Sequence, residues 1–101
     1  MIVSVSTFSE SAEQLAEGVR HVTEEVVPSI TGAKGLVAGY WVTDTEAGQR
    51  LSILVWENAE AMSAAMPGVM AGIKKRRDAA GRDQPQRSPD KSQRYQVIAQ
   101  V

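Results

Sequence analysis

A chain of 101 residues, 43% apolar and 23% charged with a formal net charge of -1, reads as one domain spanning residues 1–101, long enough for a core and short enough to gain from a partner subunit. The near-zero charge excludes the overall basic field that would draw nucleic acid or an anionic membrane, so neither is expected as a partner. The lack of cysteine excludes disulfides, thiolate metal sites and a thiol nucleophile.

The opening MIVSVSTFSE has no basic n-region, and no later run is apolar enough to cross a bilayer, so a cytoplasmic protein is expected. Residues 2 to 7, IVSVST, alternate apolar and small polar side chains in the period of a half-buried strand. Ser9 or Ser11 then caps a helix, with Ser11 and Gln14 at capping-box spacing. Leu15, Val19, Val22, Val26 and Ile30 form its apolar stripe, and Pro28 should end or kink it at Val27.

Leu36 to Val42 and Leu51 to Trp56 are aliphatic and aromatic, and the polar TDTEAGQ between them makes the pair a β-hairpin. Asn58 caps a second helix, which Pro67-Gly68 should break into pieces of about 59 to 66 and 69 to 80. The polar, proline-bearing stretch from 81 to 92 reads as a mobile loop, and Tyr95 to Val101 as the last strand.

The order β-α-β-β-α-β predicts a ferredoxin-like α+β sandwich: a four-stranded antiparallel sheet with both helices on one face. The hairpin strands are apolar on both faces, and the chain has no third helix to cover the second one. A homodimer packed sheet against sheet is therefore expected.

The glycine-flanked GAKGLVAGYW, the strand LSILVWENAEAM running into an acidic-polar junction, and the interrupted second helix resemble the antibiotic biosynthesis monooxygenase-like proteins of the dimeric α/β-barrel superfamily. The resemblance implies a small-molecule pocket between helices and sheet. It also implies, as one activity, a cofactor-independent monooxygenase acting on small aromatic or quinol substrates. The alternative is a dimeric ligand-binding or stress-response protein without turnover. The family's heme-degrading branch carries a first-strand asparagine and a second-helix tryptophan and histidine. Those places fall near Thr7, Ala65 and Lys74 or Lys75, and none matches, so heme degradation is not supported. No cofactor and no metal is expected.

If the more uniformly apolar strand faces turn toward the helices, the pocket is lined by Val5, Thr7, Tyr40, Ile53, Tyr95 and Val97, with Met62 and Met66 above. The opposite face, with Val37, Trp41, Leu54, Trp56 and Ile98, then meets the partner subunit; one bulge would exchange the two sets. Tyr40, Tyr95 and Thr7 are the candidates for hydrogen bonding to a phenolic or quinone oxygen, against an ordinary role as strand residues. His21, the one histidine, is a candidate base or ligand, against a plain helix-flank position about 100° from the apolar stripe. The KKRR run at 74 to 77 suits a solvated helix end.

Overall fold

A computed structural model of the chain describes residues 1 to 82 and 87 to 101. Its elements are β1 (Ile2–Ser9), α1 (Ala12–His21), a π-helical stretch (Val22–Val26), α2 (Val27–Ile30), β2 (Leu36–Asp44), β3 (Gln49–Trp56), α3 (Ala59–Ala79) and β4 (Lys91–Gln96). The sheet is antiparallel throughout, in the order β2-β3-β1-β4. With the helices on one face, this is the ferredoxin-like α+β sandwich that the order of elements predicts.

Local chemistry sets the ends of the elements. Ser11 caps α1 in a full capping box: Gln14 N–H donates to Ser11 Oγ at 3.2 Å, and Ser11 N–H donates to Gln14 Oε1 at 2.9 Å. In the hairpin turn, Asp44 Oδ1 accepts from the N–H groups of Glu46 and Ala47 at 3.1 and 3.0 Å. Gly48 supplies the positive φ of 65° that leads into β3.

Four features depart from expectation. The first helix does not stop at Val27: it passes through the π turn into α2 and ends after Ile30, with Pro28 in the opening turn of α2, where a missing donor is tolerated. The buried stripe runs through Leu15, Gly18, Val22, Glu25 and Ile30 and leaves Val19 exposed; only its five-residue step from Glu25 to Ile30 falls at the π turn. α3 is one 21-residue helix with Pro67 inside it. Pro67 and Gly68 are on the exposed side, and Met62, Val69 and Ile73 anchor both halves to one core, so packing outweighs the lost helical bond.

The last strand is Lys91–Gln96 rather than Tyr95 to Val101. It pairs with β1 until Gln96 meets Ile2, and Val97 N–H then donates to Met1 O at 3.0 Å. The loop expected at 81 to 92 falls partly on residues 83 to 86, outside the described residues, and its last two positions belong to β4. The core gathers Ile30, Trp56, Met62, Val69 and Ile73, with Leu36, Trp41 and Leu54 packed against them.

Candidate functional site

The strand register decides which side chains meet the helices. Ser4 pairs with Leu54, Ser6 with Ser52, Trp41 with Ser52, and Ile2 with Trp56, so these residues share one face of the sheet. That face turns to the helices, where a cleft of about 480 Å³ is lined by Ser4, Ser6, Trp41, Ser52, Leu54 and Trp56. Val26, Ile30, Met62, Met66, Val69 and Ile73 line it from the helical side.

The two faces are therefore exchanged relative to expectation. Met62 and Met66 line the cleft as expected, but Trp41, Leu54 and Trp56 belong to the core and cleft rather than to a partner contact. Val5, Thr7, Tyr40, Ile53 and Tyr95 share the opposite, open face, where Tyr40 is 59% and Tyr95 50% exposed. Val97 and Ile98 follow β4, and Val37 sits exposed at a bulge between Leu36 and Ala38.

The physical reason for the exchange is volume. The helices bring their own aliphatic and thioether side chains, and two indoles from the sheet fill most of the space beneath them. Serines at positions 4, 6 and 52 are too small to fill the rest, and the unfilled space is the cleft. The result is a hydroxyl-bearing floor under an apolar roof. Trp56 is fully buried, and its indole N–H is the one buried side-chain donor without a partner among the described residues.

One end of the cleft is charged. Arg50, buried on β3, donates from Nε to Glu10 Oε1 at 2.8 Å, and its guanidinium stacks 4.2 Å from the Phe8 ring centroid. Arg87 Nη1 donates to Glu10 Oε2 at 2.8 Å. Sequence reasoning passed over Arg50 and Glu10. The available signal was parity: Arg50 alternates with Ser52, Leu54 and Trp56, so it had to share their face.

His21 lies elsewhere, in a cluster that ties the first helix to α3. Its Nδ1 is 2.6 Å from Glu25 Oε1, and Arg77 Nη1 donates to the same oxygen at 3.1 Å. Arg82 bonds both Glu24 and Glu25. Burial lowers the His21 pKa below its usual value, and the Glu25 contact only partly opposes it. Burial alone would raise Glu25, but hydrogen bonds from His21 and Arg77 outweigh it and hold the carboxyl below its usual range. Arg76 Nη1 also donates to Ser29 Oγ at 3.2 Å, so the KKRR run clamps two helices together as well as ending one. Among the described residues no three His, Cys, Asp or Glu side chains group to hold a metal ion, and no helix is long and apolar enough to cross a membrane.

No protein-family model matches the chain. An uncharacterized protein of Mycobacterium tuberculosis, found in strains CDC 1551 and H37Rv, is 30% identical over 59 residues, which is 58% of this chain and 26% of that protein. The match thus spans about a quarter of the length of those relatives.

Solved structures match over nearly the whole chain. A candidate antibiotic biosynthesis monooxygenase of Deinococcus radiodurans has a TM-score of 0.69 at 23% identity, covering 100% of this chain and 96% of its own. A Streptomyces coelicolor monooxygenase in complex with nanaomycin D has a TM-score of 0.72 at 18% identity, covering 99% and 89%. A heme degrader of Mycobacterium tuberculosis with two hemes in its active site has a TM-score of 0.68 at 12% identity, covering 100% and 99%. Along its whole length, this chain has the ferredoxin-like fold of the antibiotic biosynthesis monooxygenase-like proteins.

Proposed function

We propose that the cleft binds a small, flat, oxygenated aromatic of the phenol or quinol class and exposes it to dioxygen, as a cofactor-independent monooxygenase. The observation that carries the reading is the cleft itself: a hydroxyl floor under a thioether and aliphatic roof. A ring sits between floor and roof, and its oxygens exchange hydrogen bonds with Ser4, Ser6 and Ser52. The fold shared with a monooxygenase solved in complex with nanaomycin D supports this ligand type.

The reaction balances without a cofactor. A phenol gives up four electrons to dioxygen; one oxygen atom enters the ring, forming a quinone, and the other leaves as water. The protein's part is to hold the ring in a dry site and to place donors where charge develops on the ring oxygens. The serines take the hydrogen-bonding role first expected of Tyr40, Tyr95 and Thr7. His21, the ligand that a heme-based reading would need, is engaged with Glu25 outside the residues that line the cleft.

A second reading has its own support: no carboxylate or imidazole is among the described residues lining the cleft, so a general base must come from the substrate or from solvent. Binding without turnover fits that lining. Oxygen uptake with a panel of phenols and hydroquinones, in protein treated with a chelator, separates the two. Uptake with an oxygenated product of matching mass supports the oxygenase. Saturable tryptophan quenching without uptake leaves the binding protein, and neither response overturns both. We further propose a homodimer through the open face, since Tyr40, Val42 and Tyr95 stand exposed there beside Val3, Val5, Leu51, Ile53 and Val55.

A further inference from the structure

Glu10 offers one carboxylate to two guanidiniums, Arg50 on Oε1 and Arg87 on Oε2, each at 2.8 Å. Arg87 has a second anchor, since its Nη2 donates to Ser9 O at 2.8 Å. Arg50 has none. Its Nε is used by Glu10 and its face by Phe8, but Nη1 and Nη2 bond nothing among the described residues and, unlike the Trp56 N–H, are not sealed from solvent where Arg50 lines the cleft. Arg94 lines the cleft too, without an ion pair among the described residues.

A structural role for Glu10 accounts for one of its arginines. The other, Arg87, is exposed and within electrostatic reach of the Asp90 carboxylate, so what is left unmet is the pair of Arg50 donors, on a guanidinium that cannot lose a proton. Those donors are met when an acceptor enters the cleft. The two free donors of Arg50 lie side by side on one edge of a planar fork, the arrangement that accepts a carboxylate through two parallel bonds.

We propose that the occupant is an aromatic acid, its ring between the serine floor and the methionine roof and its carboxylate on Nη1 and Nη2 of Arg50. The inference rests on the ligand-binding reading above and narrows it. The more exposed Arg87 and Arg94 extend the positive field and assist capture.

The test compares 1-hydroxy-2-naphthoate with its neutral isostere 1-hydroxy-2-naphthamide by titration calorimetry. The acid binds about ten- to a hundredfold more tightly, the worth of a charge-assisted pair of hydrogen bonds in a shielded site. In the double variant Glu10→Gln/Arg50→Gln, which removes both partners and leaves no buried carboxylate facing a lost cation, the preference disappears. Arg94→Gln, at an exposed position, lowers it only severalfold. Equal affinity for acid and amide overturns the aromatic-acid assignment and leaves the binding reading standing. A preference that survives the double variant overturns the role of Arg50. Displacement of the acid by inorganic phosphate at similar concentration overturns the assignment in favour of a general anion site. If neither naphthalene binds, the ligand-binding reading falls, and this inference with it.

Discussion

Gly18 on α1 lies so close to Arg50 on β3 that a Cβ at position 18 would stand 2.6 Å from Arg50 Nε and 3.0 Å from Glu10 Oε1. The helix can pack over the buried ion pair only because that position has no side chain. In a free helix Gly→Ala is stabilising by about 0.5–1 kcal/mol. Here the methyl group must displace a hydrogen-bonded guanidinium, and Gly18→Ala should instead destabilise by about 1–3 kcal/mol, as overpacking does. Gly68, inside α3, is the control, because a methyl group added there would meet nothing within 4 Å. Gly68→Ala should gain about 0.5–1 kcal/mol. Urea denaturation of the two variants checks the opposite signs.

Acid should weaken the His21–Glu25 cluster in two stages. The folded pKa of His21 is lowered, so its contribution is complete above the ordinary value near 6.5 and is lost as pH falls from there toward the folded value. The folded pKa of Glu25 is also lowered, so its contribution holds above 4.5 and is lost as pH falls through the folded value. Protonated His21 would face Arg77 and Arg50 as well as Glu25, so nothing on the cationic side rewards the added charge. Denaturation midpoints should be level above about pH 7, decline from there toward pH 5, and fall again below about 4.5. His21→Gln keeps a donor for Glu25 and should abolish the first decline while leaving the second. A flat profile between pH 7 and 5 in the parent protein would contradict the placement of His21.

The outline of the fold was legible because each element has a local signal: alternation in β1, a capping box at Ser11, Asp44 and Gly48 in the turn, and Asn58 before α3, whose Oδ1 accepts from Ala61 N–H at 2.7 Å. The strand faces were legible only as two sets. Val5, Tyr40, Ile53 and Tyr95 do share a face, but alternation cannot say which face the helices choose. Pro67 and Pro28 misled because propensity describes an isolated helix, while Val69, Ile73 and Ile30 hold these segments through tertiary packing. The Glu10–Arg50 pair joins residues 40 apart in sequence, and no spacing rule reaches that far.

The open face gives the assembly prediction. Tyr40 is more than half exposed in the single chain, so a charge there should be harmless to the monomer and costly in a sheet-to-sheet interface. Tyr40→Glu should convert a dimer into a monomer by sedimentation velocity, with an unchanged far-ultraviolet circular dichroism spectrum. The same substitution would scarcely alter the mass if the open face carried no contact. A parent protein that sediments as a monomer at micromolar concentration would overturn the dimer directly.

Trp56 gives a prediction for both stability and binding. A buried N–H without a partner is destabilising by about 1–3 kcal/mol, and Trp56→Phe removes that donor along with part of a ring. The vacated volume carries a cavity cost of similar size and opposite sign, so net stability should change by no more than about 1 kcal/mol. Binding should respond little, because the indole N–H is sealed and the oxygens of a ligand meet the serines of the cleft instead. An aromatic ligand should therefore bind to Trp56→Phe within about threefold of its affinity for the parent, in a protein that unfolds near the parent midpoint. A stability loss of about 3 kcal/mol or more, with ligand affinity unchanged, would show that the indole is already satisfied in the free protein, by an ordered water or otherwise. A tenfold loss of affinity would instead show that the indole N–H reaches the ligand.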